Sequence, residues 1–391
     1  MSAKLIDGNA LAARVKENVQ QHVAALARQG KRVHLTAILV GSPAGGELYA
    51  KRQAEACRAV GIEYELKNLP ETCTAQQLTD VIHQLNEDQN VTGIMLHLPL
   101  PRHLDETEMQ YEINPRKDVE GINPANIGHV VYRHTLIAPC TALAAIECIK
   151  STGIAMRGAD AVVVGASAIA GKPISLLLTE ELATVTLCHI ATKDLREHTR
   201  RADIVVVAVG KPNLITAEHI REGAVVIDVG INRITLPDGT KKTVGDVDFE
   251  GVRQKASYIT PVPGGVGPMT VAMLLENSRR CAGLVWGIDF QDDTVPPTTQ
   301  ACPVLPITYL RRTELRDFLR EILRGDKPKT IAEIYQQVLG KFGADQCRPE
   351  EQCPYYSSAH PEFQHVVRLA LWDGQRAGEF SRVASGVWKK I

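Results

Sequence analysis

Between Asn9 and Gln29, the apolar residues Leu11, Val15, Val19, Val23 and Leu26 recur at steps of three and four, which places one apolar stripe along a helix. The next apolar run, Val33–Val40, is short and rich in β-formers, and it stops at Gly41-Ser-Pro-Ala-Gly-Gly46, so it predicts a strand that ends in a loop. A helix over Glu47–Val60, a strand over Ile62–Leu69, a helix over Ala75–Asn86 and a strand over Gly93–His97 follow. Strands that alternate with helices in this way favour a parallel sheet.

The same alternation restarts near Thr141. Strands are predicted at Ala161–Val164, Thr184–Cys188, Ile204–Val207 and Ala224–Asp228, with helices at Pro173–Glu180, Asp194–Arg200 and Ala217–Glu222 between them. This is the pattern of a doubly wound, nucleotide-binding half. After Trp286 the periodicity fades into the proline-rich stretch Asp289–Ile307, read as a linker. Beyond it, Thr308–Ile391 reads as a small, mostly helical module with a β-rich end at Arg382–Lys389.

Composition narrows the class. The chain has 391 residues, 44% of them hydrophobic and 23% charged, enough for two or three domains with their own cores. A formal net charge of -1 argues against a general polyanion binder. No apolar run approaches the roughly 18–20 residues a membrane span needs, and Met1–Asn9 lacks the apolar core of a signal peptide, so a soluble cytoplasmic protein is expected. The nine cysteines are scattered and read mostly as reduced core residues.

Two segments carry candidate chemistry. Val162-Val-Val-Gly165-Ala166-Ser167-Ala-Ile-Ala-Gly171-Lys-Pro173 sets a Gly-rich turn between a strand and a helix that begins with proline, the arrangement that aims free N–H groups at a pyrophosphate. Its G-x-S-x-x-x-G spacing departs from the usual dinucleotide fingerprint, and an ordinary tight turn is the competing reading. Ser167 has a hydroxyl to offer a phosphate. The second segment, Ser257–Val271, sets three prolines and three glycines ahead of an apolar run, a stiff wall with exposed peptide groups facing a ligand.

That loop closely resembles one in the bifunctional methylenetetrahydrofolate dehydrogenase/cyclohydrolase family. The resemblance extends from Met1 to about Ala282 through Leu39-Val-Gly41, Tyr49, Gly61-Ile62, Gly93-Ile-Met-Leu-His-Leu-Pro-Leu-Pro101, Asn114-Pro-Arg-Lys-Asp-Val-Glu-Gly121, Pro139-Cys-Thr141, Gly230-Ile-Asn232 and Val244-Gly-Asp246. It implies an α/β fold of two doubly wound domains. Residues 1–140 would form the folate-binding catalytic domain, completed by a helix over 270–286, and residues 141–269 a Rossmann-like NAD(P)-binding domain. Residues 287–307 would be the linker and 308–391 the C-terminal α+β module.

The resemblance also implies a chemistry: hydride transfer from 5,10-methylenetetrahydrofolate to a nicotinamide, followed in many members by hydrolysis of the methenyl cation. Tyr49, Leu98, Pro99, Glu120, Pro263 and Gly264 fall at its folate positions, and Gly165, Ala166, Ser167, Gly171, Ile190, Ile231 and Thr270 at its dinucleotide positions. The catalytic set becomes Tyr49, Gln53, His97 and Glu120, where the family has tyrosine, lysine, glutamine and aspartate. A carboxamide does not titrate in the useful range, so Gln53 can orient water but cannot take its proton. His97 reads either as a replacement base near neutrality or as a space-filling polar residue at a strand end. Lys117 and Asp118 read equally as helix-cap and surface charges or as ligands. Where the family pattern implies Arg and Ser for the 2′-phosphate of NADP, this chain has Ala166 and Ile190, so NADP, NAD and a damaged site all stay open. Lys193 or Arg196 could substitute, against a reading as solvated surface charges.

The expectation is therefore a folate-dependent one-carbon oxidoreductase with hydrolysis weakened or lost at Gln53. The alternatives are a repurposed folate- or nucleotide-binding protein, or different one-carbon chemistry. The family pattern implies a homodimer. No catalytic metal is expected.

In the tail, Thr330–Tyr335, Phe363–Leu371 and Gly386–Lys389 resemble a winged-helix module, with one helix opening at Thr330. Its basic residues Arg368, Arg376, Arg382, Lys389 and Lys390 are offset by Glu362, Asp373 and Glu379, so contact with a protein partner, or packing on the rest of the chain, is expected ahead of nucleic acid. Cys347, Cys353, His360 and His365 make a weak zinc pattern, because the Cys-x5-Cys spacing is long.

Overall fold

The structure, a computed structural model, describes residues 2–41, 46–132, 135–235 and 239–288, with the side chains of 47–49 outside this set. It also describes Leu319, Glu321, Leu323, Lys329–Thr330, Glu333, Ile334, Gln337, Phe380–Ala384 and Val387–Lys390. The chain divides into two compact units, Met1–Phe290 and Gln291–Ile391.

The first unit opens with β1 (Lys4–Leu5), α1 (Gly8–Arg28), β2 (His34–Val40), α2 (Gly46–Ala59), β3 (Glu63–Leu69), α3 (Ala75–Glu87) and β4 (Gly93–Leu96). Next come α4 (Glu106–Glu112), α5 (Pro124–Val131), α6 (Cys140–Lys150), β5 (Asp160–Val164), α7 (Gly171–Glu180), β6 (Thr184–Cys188), α8 (Leu195–Thr199) and β7 (Ile204–Val207). It closes with β8 (Val225–Asp228), the hairpin β9 (Asn232–Thr235) and β10 (Lys241–Val244), α9 (Phe249–Arg253), β11 (Tyr258–Ile259) and α10 (Val266–Trp286).

Two parallel sheets result. One has the order β3-β2-β4, and the other is six-stranded in the order β1-β11-β8-β7-β5-β6. Both faces of each sheet are covered, as parallel sheets require. Along β5, Ala161 and Val163 enter the main core, shared with α1, α6 and α10, whereas Val162 and Val164 enter a second core on the opposite face. Along β2, Leu35 and Ala37 face the main core, and Ile38 and Val40 meet Leu78 and Ile82 of α3 in a third. The period of two therefore assigns each strand residue to one layer or the other.

Caps fix the helix starts. The Asp7 carboxylate accepts from the Asn9 and Ala10 amides to open α1, and Thr74 with Gln77 forms a reciprocal capping box on α3. Lys117 is buried, not a surface charge, and its Nζ donates to the Leu85 and Asp88 carbonyls at the end of α3. Asp118 is also buried and accepts from the Gly121 and Asn123 amides and from Asn126 Nδ2.

The helix expected over Ala217–Glu222 is instead a single 3-10 turn at Ala217–His219. His219 folds back on Thr216, and Ile220 takes an extended conformation (φ -119°, ψ 156°) that buries its side chain completely. In the second unit Leu319, Leu323 and Ile334 are buried, and β12 (Lys329–Thr330), β13 (Phe380–Ala384) and β14 (Val387–Lys390) pair antiparallel in the order β12-β14-β13. Thr330 therefore belongs to a strand paired with Val387, not to a helix start. The predicted helix Phe363–Leu371 and the set Cys347, Cys353, His360 and His365 lie outside the described residues. Among the described residues no helix is long and apolar enough to cross a membrane, and no cluster of three or more His, Cys, Asp or Glu is placed to hold a metal.

Candidate active site

Of the predicted folate and catalytic residues, His97, Leu98, Pro99 and Glu120 lie near the carboxyl end of β4 and Gln53 packs on Met95 of that strand, whereas Pro263 and Gly264 follow β11 of the other sheet. Gln53 projects from α2, almost fully buried; its amide nitrogen donates to the Met95 sulfur and its carbonyl accepts from the Tyr64 hydroxyl at 3.2 Å. Lys51 and Arg52 are exposed and point away. Tyr49 lies one helical turn before Gln53, with its side chain outside the described set. His97 follows Met95 by two residues, and its amide donates to the Ile38 carbonyl at 2.9 Å, so the ladder continues and brings the imidazole to the same side as Met95. Burial lowers the His97 pKa, which leaves the imidazole neutral at neutral pH.

Glu120 arrives on a neighbouring segment. Asp118 bridges to Ile94 in parallel register, and the Val119 amide donates to the Ile94 carbonyl, so residues 117–119 run beside β4. Gly121, at φ +71°, then turns the chain against Ala138–Pro139, where a β-carbon would sit 2.3 Å from the Ala138 carbonyl. Asn277 of α10 fastens this junction by donating from Nδ2 to the carbonyls of Val119 and Ala138, both at 2.9 Å. Glu120 lies deep in the molecule yet keeps part of its surface accessible, as a residue lining a cleft does. Burial, reinforced by the Asp118 carboxylate, pushes its carboxyl up to about 8.

The Pro-Gly loop leads into α10, the helix whose Asn277 fastens the Glu120 segment. Pro99 and Pro263 both follow cis peptide bonds, and Leu98 is exposed. The Gly8 amide at the start of α1 donates to the Gly264 carbonyl at 2.9 Å, and a β-carbon on Gly8 would lie 1.8 Å from the Gly265 carbonyl oxygen. Gly8→Ala is thus expected to destabilise the fold by about 1–3 kcal/mol, as overpacking does. Urea denaturation of the two proteins checks this.

The same loop starts α10, which also borders the second sheet: Ile231 Cδ1 is 4.0 Å from a β-carbon built on Gly267, and Thr270 opens the second turn of the helix with its hydroxyl donating to the Val266 carbonyl. At the carboxyl ends of β5 to β8, four large apolar side chains, Ile169, Ile190, Val209 and Ile231, are exposed. Such a rim at the mouth of a parallel sheet suits the faces of flat rings. Beside it Gly165, at φ +113°, approaches Ala208, and a β-carbon on Gly171 would lie 1.7 Å from the Gly165 carbonyl oxygen, so both glycines are required by close backbone approach. Ser167 Oγ accepts from the Ala170 and Gly171 amides at 3.2 and 3.4 Å, which leaves its proton to donate. Ala166 offers no side-chain donor, and Ile190 is fully exposed. Arg196 is paired with Glu218 at 3.1 Å.

Two adjacent family models match this chain: the catalytic domain of tetrahydrofolate dehydrogenase/cyclohydrolase over residues 6–120, and its NAD(P)-binding domain over residues 139–284. The bifunctional protein FolD of Nautilia profundicola is 48% identical over 278 residues, 71% of this chain and 96% of that protein. The chain belongs to the tetrahydrofolate dehydrogenase/cyclohydrolase family.

Solved members of the family share the fold. The bifunctional FolD dehydrogenase/cyclohydrolase of Campylobacter jejuni aligns with a TM-score of 0.69 at 43% identity, covering 72% of this chain and 99% of that one. The Trypanosoma brucei enzyme, solved with NADP and an inhibitor, aligns with a TM-score of 0.69 at 38% identity, covering 72% and 98%. The second lobe is accordingly the family's NAD(P)-binding domain. Sequence reasoning assigned no role to Gly8, Asn277, Asp228 or Asp246. Of these only Asp246 carried a signal, as part of Val244-Gly-Asp246.

Proposed function

We propose that this chain oxidises 5,10-methylenetetrahydrofolate by hydride transfer to NAD or NADP, and that its methenyl hydrolysis is weak or lost. The observation that carries this reading is the single helix α10, whose first turn meets Ile231 of the dinucleotide rim and whose Asn277 fastens the segment that carries Glu120. Hydride transfer asks the protein mainly to hold two rings face to face, because the cofactor supplies the redox chemistry when bound. Glu120 would grip the amino-pyrimidine edge of the folate, the cis-Pro segments would wall its ring, and Ile231 would cover the nicotinamide side.

Hydrolysis asks for something else, a group that takes a proton from water at the methenyl carbon. Gln53 has no titrating function, and its amide is already engaged by Met95 and Tyr64. His97 is neutral and therefore chemically able to accept a proton, which supports a narrower second reading in which it restores slow hydrolysis. The purified full chain, assayed with methylenetetrahydrofolate and each nicotinamide, should show reduced dinucleotide at 340 nm and accumulating methenyl product. Turnover with neither nicotinamide sinks the enzyme reading and favours a binding role. Hydrolysis that keeps pace with oxidation, and disappears in His97→Ala while oxidation continues, favours the second reading.

A further inference from the structure

Two buried carboxylates lie at the mouth of the six-stranded sheet with no arginine or lysine among their hydrogen-bond partners in the described residues. Asp228 ends β8, and Asp246 follows β10. Asp246 Oδ2 accepts from the Val209 and Gly210 amides at 2.7 and 2.9 Å, and its Oδ1 accepts from Asn232 Nδ2 at 2.8 Å. Asp228 Oδ1 accepts from the Gly230 and Asp246 amides at 3.0 and 2.9 Å, and its Oδ2 from the Val247 amide at 2.9 Å. Three loops, those after β7, β8 and β10, thus converge on one carboxylate pair.

The chain makes room for these groups. A β-carbon on Gly230 would sit 2.1 Å from the Asp246 carboxyl carbon, and one on Gly245 would sit 1.8 Å from Asp228 Oδ2. Buried ions held only by amides and a carboxamide are a costly way to join loops. Burial, partly relieved by those amides and reinforced by the Asp246 carboxylate, pushes Asp228 up to about 6. An apolar filling would have joined the loops without that penalty, so the arrangement points to geometry over stability.

What the geometry sets is the apolar rim. Asp246 grips the backbone of Val209 and Gly210 on one side and the side chain of Asn232, next to Ile231, on the other. Val209 and Ile231 are two of the four exposed apolar residues at the strand ends, and Val209 Cγ2 lies 3.4 Å from a β-carbon built on Gly165 of the phosphate turn. We propose that Asp246 is a positioning residue of the dinucleotide site, holding the Val209–Gly210 turn and the Ile231–Asn232 segment in the spacing the cofactor requires. The proposal rests on the dinucleotide reading of this lobe.

The test uses the full chain carrying Asp246→Ala, Asp246→Asn or Asn232→Ala, with NADH and NADPH binding followed by fluorescence and the folded fraction by circular dichroism. Asp246→Ala removes three hydrogen bonds to a charged group and should raise the dinucleotide Kd and KM by about tenfold or more. The folate KM, and kcat at saturating dinucleotide, should stay within about twofold. Asp246→Asn should rescue to within about threefold of the parent, because the Asn232 amide can flip and all three bonds survive. Asn232→Ala, which spares the buried carboxylate, should give a smaller rise of about threefold and keeps the test open if Asp246→Ala does not fold. Unchanged dinucleotide affinity in both alanine variants, or losses that follow the folded fraction alone, would overturn the proposal. A parent chain that binds neither dinucleotide would overturn the underlying reading, and is told apart by appearing before any substitution.

Discussion

Gln53→Lys should raise methenyl hydrolysis by about a hundredfold or more, the scale on which a positioned general base acts. The position is prepared for it. Gln53 is buried on α2 against Met95 and beneath the Tyr64 hydroxyl, and the exposed Lys51 and Arg52 cannot reach the same side. A lysine here would lose its hydration, which lowers its pKa toward neutrality and leaves part of the population able to accept a proton. It would also lose the amide contact to sulfur, which contributes little. Hydride transfer depends on ring orientation, so its kcat and KM should move by less than about threefold. Decay of methenyl absorbance with the two proteins decides the matter. A parent chain that already hydrolyses as fast as it oxidises, with no gain in the variant, removes Gln53 as the reason for lost hydrolysis.

Much of the fold around this site was legible because its parts are local. Strand ends and Gly-rich turns leave compositional marks, and β6 and β7 lie where periodicity placed them, at Thr184–Cys188 and Ile204–Val207. The missing elements had no period to read. β1 is two residues long and finds its partner β11 more than 250 residues later, so nothing near Lys4 announces it. In α6, Ala142, Ala144, Ala145, Ile146, Cys148 and Ile149 are all buried, and a helix covered on several sides shows no single stripe. The same limit applies to Asn277. Its partners, Val119 and Ala138, are brought to it only by the docking of α10. Lys117 and Asp118 were ambiguous for the converse reason: charges beside a motif look functional until their burial shows them fastening the end of α3 and the turn before α5.

The substitution of glutamate for aspartate at position 120 should make folate binding strongly pH-dependent. Glutamate in water titrates near 4.5, whereas burial and then Asp118 push Glu120 up to about 8. The carboxyl is therefore mostly protonated at pH 7 in the unliganded protein, and gripping an amino-pyrimidine edge through two acceptor oxygens requires the proton to leave. Folate affinity should rise with pH, by up to about tenfold per unit between pH 6 and 8, and level off above 8. The stability effect has the opposite sign. Because the folded pKa is raised, the protonated form favours folding below about 4.5, and that contribution is lost as pH rises through about 8. Glu120→Gln does not titrate, so relative to the parent it should become more stable by roughly 3 kcal/mol between pH 5 and 9, a figure already reduced for the partial access of water to the cleft. Its folate affinity should be weak and flat with pH, since one of its two terminal groups is a donor facing donors. Urea midpoints and folate titrations of both proteins across that range test the two signs together, and a flat folate affinity in the parent would remove Glu120 from the binding role.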